Sequence, residues 1–281
     1  MWWRLSPAAF FAASERALTG KEPPSAGEPK LEPRDVFASF DRQTLVVFVS
    51  ATVLLVVFEY WGLPSWFRGS SLHDTVADAL GSGYRPYYDL LPYQYWGVSS
   101  LLIRVLMPVL VITLVLHQHP RDWGFRVRGQ WHQLRPYAIA LIFMVPVVYL
   151  VSALGSFQAT YPFYDFAAEG GWHFWGYHLF YALQFLGLEV FFRGFLLFGL
   201  YRRLGFYAIP VMVIPYTMIH FGKPMPETFA AIIAGFVLGY LALKSRSVLW
   251  GFAVHWGVAI TMDLVVIGRE FGFDRIIDVV F

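Results

Sequence analysis

The sequence predicts an all-α fold, a polytopic transmembrane helical bundle of about seven spans. Its 281 residues are 57% hydrophobic and 14% charged, with mean hydropathy +0.52, whereas a soluble domain carries about a quarter charged residues. Its apolar runs also far exceed the short alternating strands of a membrane barrel, and only a helix or a closed barrel satisfies its backbone hydrogen bonds in lipid. The net charge of +2 belongs to the loops between spans, so nucleic acid is not an expected partner and the lipid bilayer is. The absence of cysteine excludes thiol proteases, disulfides, thiolate-bound zinc and iron–sulfur clusters.

Residues 1–42 read as a cytoplasmic N-terminal segment. Met1 to Thr19 combines Trp2, Trp3, Phe10 and Phe11 with Arg4, Glu15 and Arg16, the pattern of a short interfacial helix rather than a cleaved signal. The stretch KEPPSAGEPKLEP at 21–33 is too polar and proline-rich to bury a core and reads as a linker. Spans are expected at about 43–63, 95–116 and 136–156, which make up an N-terminal transmembrane region over 43–170. Four more are expected within 171–281, at about 173–200, 206–221, 228–244 and 247–268. The fifth is short and carries Pro210 and Pro215, which predicts a kinked or incomplete span. The segment between Trp66 and Gln94, with His73, Asp74, Asp78, Tyr84, Tyr87 and Tyr88, reads as a solvated aromatic-rich loop.

Basic residues orient such a chain, because cytoplasmic loops hold their excess. With the N-terminus cytoplasmic and the C-terminus outside, fourteen of the 21 Lys and Arg fall on inner segments and five on outer ones. Arg104 and Arg193 lie inside spans.

Chemistry is sought where ionisable groups interrupt apolar spans, since each costs roughly 2.5–3.5 kcal/mol near a bilayer centre unless it has a partner or a task. In the fourth span, Glu189 and Arg193 are one helical turn apart and share a face. Taken alone, a structural ion pair explains them as well as catalysis does. Near the end of the fifth span, Tyr216 lies one turn before His220; the seventh carries His255, and Asp263 two turns later lies within about 80° of it on the helical wheel. Gly235 and Gly239 on the sixth span allow close packing of its neighbours. One glutamate and two histidines on three spans suffice for a general-base site: a carboxylate to deprotonate water, one imidazole to orient that water or pass its proton on, and one to donate to the oxyanion.

At these residues the chain resembles the CPBP family of intramembrane glutamic endopeptidases, also called Abi or CAAX-protease-like, which includes the type II CAAX prenyl endopeptidases. The resemblance covers roughly Phe180 to Val265. The family pattern is Glu-Glu-x-x-x-Arg, then Phe-x-x-x-His, then His-x-x-x-Asn. LEVFFRG matches the first motif, with Glu189 on its second Glu and Arg193 on its Arg; Tyr216 to His220 matches the second with Tyr for Phe; His255 matches the His of the third. Leu188 stands at the first Glu and Ala259 at the Asn. The resemblance implies a protease core over 171–281 in a bacterial plasma membrane, with Glu189, His220, His255 and Arg193 as catalytic residues and Glu227, Asp263 and Tyr216 as secondary candidates. It implies no cofactor. Two His and a carboxylate leave zinc as a lesser alternative.

Other intramembrane protease chemistries lack their signatures: there is no His-Glu-x-x-His and no Gly-x-Gly-Asp, and the Gly-x-Ser at Gly97 to Ser99 has no matching partner. The expected reaction is hydrolysis of a peptide bond in a membrane-anchored protein, near its C-terminus and in the outer half of the bilayer. Substrates of that kind are C-terminal sorting helices rather than prenylated cytosolic tails. Two further readings stay open: a non-catalytic binding or immunity protein, favoured by Leu188 and Ala259, and a small transporter using Arg104 and Glu189, disfavoured by the lack of an internal repeat. Oligomeric state and substrate identity are not set by the sequence.

Overall fold

The computed structural model describes residues 41–126 and 131–281. The N-terminal interfacial helix and the proline-rich linker therefore lie outside the described residues. Among the described residues the secondary structure is helical, apart from one isolated bridge between Phe125 and Ser247.

Helix α1 (Arg42–Trp61) opens on Asp41, whose carboxylate accepts from the Thr44 backbone N–H at 2.9 Å and so satisfies an otherwise orphaned donor. Helix α2 starts at Leu91–Ser100 and runs on through π-type turns at Leu101–Leu106 and Val111–Val115. Helix α3 is Leu134–Val151. Helix α4 is continuous through Gly171–Glu189, π-type Val190–Leu197 and Phe198–Leu204. It stops at Gly205, whose φ of 53° is a backbone state that a side chain disfavours. There follow α5 (Ala208–Met218), α6 (Met225–Ser245), α7 (Leu249–Phe271) and a short α8 (Arg275–Val280).

Among the described residues, six apolar helical stretches are long enough to cross a membrane. One of them, Gly171–Met218, holds both the fourth and the fifth expected spans, so the count of about seven stands. α5 has only 11 residues, about 16 Å, against the roughly 30 Å of a hydrocarbon core, so the fifth span is incomplete. The segment between α1 and α2 is largely exposed, as expected, but it is helical rather than a loop. It folds into helices Pro64–Arg68 and Ser71–Leu80 and a 3-10 stretch Ser82–Leu90. His73 is buried there, stacked on Tyr88 at 4.0 Å and 3.0 Å from the Tyr88 carbonyl through Nε2. Phe67 is buried as well, stacked on Tyr95 of α2, while Tyr84, Tyr87 and Tyr88 stay partly exposed.

α4 is the central element. Of the most apolar window in Gly171–Met218, 78% is buried by protein, against 11% for the peripheral α3. α2 meets α4 almost backbone to backbone: a Cβ on Gly97 would lie 2.4 Å from the Phe180 carbonyl, and one on Gly187 would lie 2.2 Å from Ser100 Oγ. Phe191, Phe192, Phe195 and Leu196 are all buried. Gly235 and Gly239 of α6 face α5, where added Cβ atoms would meet Val213, Tyr216, Met212 and Ile209. This packing holds the short α5 in place although it cannot span. At the other end of the bundle, Val248 N–H donates to the Gly124 carbonyl at 3.0 Å, tying the start of α7 to the segment after α2.

Candidate functional site

Glu189 ends the α-helical part of α4, and Arg193 sits in the π-type turn that follows. Both are completely buried, and Arg193 Nη1 is 3.1 Å from Glu189 Oε1. α7 brings His255 to the same oxygen, with Nδ1 at 2.7 Å. The contacts are short, but the N–H and carboxylate directions are poorly aligned, so charge attraction rather than linear hydrogen bonding dominates here. Phe185, one turn before Glu189, lies parallel to the His255 ring, with centroids 5.8 Å apart and planes 4° from parallel.

α5 closes the group. The Tyr216 hydroxyl is 2.9 Å from His255 Nε2, and the Arg193 guanidinium lies over the Tyr216 ring at 4.0 Å. His220 follows α5 in the turn toward α6, with Nδ1 2.8 Å from the Tyr216 carbonyl and its ring edge-on to the Tyr216 ring at 4.9 Å. The His220 carbonyl accepts from the Thr228 hydroxyl at 2.9 Å, which ties the turn to α6.

The structure thus brings Glu189, Arg193, His255, Tyr216 and His220 into one group and leaves two candidates elsewhere. Glu227 is paired with Lys223 at 2.8 Å and accepts from the Tyr161 hydroxyl at 2.5 Å. Asp263 is two turns from His255 and fully buried, facing His178 of α4 at 3.5 Å. Leu188 is buried in the apolar cluster that includes Val47, Ala51 and Ile112, and Ala259 is buried among Phe174, Tyr177 and Tyr181. Arg104 is buried on α2 with its guanidinium 3.5 Å from the Phe58 ring centroid. No group of three or more His, Asp or Glu among the described residues is placed to hold a metal ion.

Two participants escaped the sequence reading. Gly251 lies against the Glu189 carboxylate: a Cβ there would sit 2.3 Å from Oε2. Its signal was a glycine one turn before His255 in GFAVH. His178, the partner of Asp263 outside the group, is the other, and its signal was a histidine inside the fourth apolar span, three turns before Glu189.

Fold and site together define a polytopic α-helical membrane protein with a buried Glu–Arg–His–Tyr group at the meeting of α4, α5 and α7. Residues 170–261, which contain that group, match the model of the family described as Type II CAAX prenyl endopeptidase Rce1-like, the family that the motifs resemble. The match supports a CAAX-type intramembrane protease role. No curated protein and no solved structure matches the chain.

Proposed function

We propose that the chain is an intramembrane endopeptidase that hydrolyses a peptide bond of a membrane-anchored protein near its C-terminus, using water activated by Glu189 with His220 and His255. The observation that carries this reading is the 2.7 Å contact between Glu189 Oε1 and His255 Nδ1 inside the segment that matches the family. Glu189 is sealed from open space, so it acts through His255. A buried carboxylate beside an imidazole holds the His255 ring in one orientation, and its negative charge favours a proton arriving on the imidazole pair. Arg193 supplies the counter-charge for the buried carboxylate at 3.1 Å. Water adds to the substrate carbonyl carbon, its proton passes to the imidazole system, and the C–N bond then breaks as the amine takes a proton. Glu189 lies about 22 Å from the Leu204 end of α4 and about 27 Å from its Gly171 end, so the site sits near the middle of the helix, at a depth that suits a peptide bond of a membrane-anchored protein.

A non-catalytic, CPBP-like binding role is the second reading. It is favoured by Leu188 and Ala259, apolar and buried where the family motif has Glu and Asn. One experiment separates the two: express the chain or its Glu189→Gln variant beside candidate membrane-anchored proteins of the same genome and compare protein termini by mass spectrometry. A new terminus that needs Glu189 establishes the protease. Identical termini across the membrane proteome establish the binding role instead.

A further inference from the structure

Both histidines of the site are bonded to one residue, Tyr216. Its hydroxyl meets His255 Nε2 at 2.9 Å, its carbonyl meets His220 Nδ1 at 2.8 Å, and its ring lies under the Arg193 guanidinium. The side chain is 1% exposed and packs edge-on against Phe192, while Gly235 of α6 leaves room for it. It is therefore a fixed feature of the bundle rather than a mobile surface ring.

Hydrogen-bonding capacity then decides where the protons sit. A carbonyl oxygen only accepts, so His220 carries its proton on Nδ1 and leaves Nε2 with a free lone pair. No partner for His220 Nε2 occurs among the described residues. An unprotonated ring nitrogen would turn its lone pair toward the carboxylate 2.7 Å away, so a neutral His255 carries its proton on Nδ1, although the N–H is not aligned for a linear bond. The Glu189 and Arg193 charges already cancel, and a positive His255 would add an uncompensated charge to a buried group. His255 Nε2 is then an acceptor and the Tyr216 hydroxyl donates to it. His255 Nδ1 thus faces Glu189 and Nε2 faces the Tyr216 hydroxyl, whereas His220 keeps one basic atom free.

We propose that Tyr216 is the positioning residue that assigns the two histidines different roles: it locks His255 as the inner, orienting imidazole between Glu189 and its own hydroxyl, and it turns His220 so that Nε2 is the basic atom that meets water. This rests on the endopeptidase reading for its catalytic consequence but not for its chemistry. The family motif has Phe at this position, which lacks the hydroxyl, so the His255 half of the device belongs to the Tyr of this chain.

The test is ¹⁵N NMR of histidine-labelled full-length protein in lipid nanodiscs, for the wild type and Tyr216→Phe. His255→Gln and His220→Gln variants assign the signals. Tyr216→Phe removes only the hydroxyl and keeps the ring and the carbonyl. The expected result is a wild type with both rings protonated on Nδ1, and a variant in which His255 Nε2 moves to the position of an unbonded nitrogen while His220 is unchanged. In a cleavage assay the same variant is expected to lower kcat by roughly tenfold, with KM kept within about twofold. A proton on His255 Nε2 in the wild type, or no response of His255 to the substitution, overturns the proposal. If the wild type cleaves nothing, the endopeptidase reading fails while the NMR result still decides the role of Tyr216. If it cleaves but the NMR pattern is absent, the proposal fails alone.

Discussion

The Glu189 carboxylate rests directly on the bare α-carbon of Gly251: a Cβ at that position would lie 2.3 Å from Oε2 and 3.0 Å from the carboxyl carbon. The same glycine face lets α7 approach α4 closely enough for His255, one turn further on, to reach Oε1 at 2.7 Å. Position 251 therefore sets the separation on which the whole group depends.

Gly251→Ala is expected to push Glu189 off this seat and pull it from Arg193 and His255. Overpacking of this kind costs about 1–3 kcal/mol, and a displacement near 1 Å in a reacting group costs about 100-fold in rate. Thermal unfolding in detergent and cleavage of an identified substrate measure the two effects. Wild-type cleavage by the variant would refute the placement of Glu189.

Charge and activity separate at the Glu189–Arg193 pair. Glu189→Gln leaves a completely buried guanidinium without its counter-charge, which is expected to destabilise the protein by about 3–5 kcal/mol. Adding Arg193→Met removes the orphaned charge and is expected to recover most of the lost melting temperature while leaving cleavage abolished. A single variant as stable as the wild type would contradict the tight pairing seen at 3.1 Å.

Gly97 supports the frame from the α2 side, where its α-carbon faces the Phe180 carbonyl at a distance that excludes a methyl group. Gly97→Ala is expected to separate α2 from α4 and to cost about 1–3 kcal/mol of stability. Gly83, around which nothing lies within 4 Å, is the matched control. Equal melting temperatures for Gly97→Ala and Gly83→Ala would rule out the close crossing.

Much of this organisation was legible in the sequence because it depends on local rules. A run of some twenty apolar residues must be a helix in lipid, which placed α1, α3, α4, α6 and α7 to within a few residues. Pro210 and Pro215 announced that α5 would be incomplete. The one-turn spacings of Glu189 with Arg193 and of Tyr216 with His220 announced shared faces. The exposure of the segment between Trp66 and Gln94 was legible from its polar residues, but its helices were not, because ring contacts such as Phe67–Tyr95 and His73–Tyr88 that order it join residues well apart in sequence.

Periodicity also cannot say which turn of one helix faces which turn of the next. Asp263 lay on the correct side of α7 to share the surroundings of His255, but interhelical packing sets it opposite His178 instead. What the sequence determined by itself is the membrane-spanning all-α class, the order of the helices and the residue types available for chemistry. Tertiary structure alone decided that Gly251 seats Glu189 and that Tyr216 joins both histidines. Those contacts depend on interhelical distances, and the distances are fixed by glycines and side-chain volumes on helices far apart in the chain.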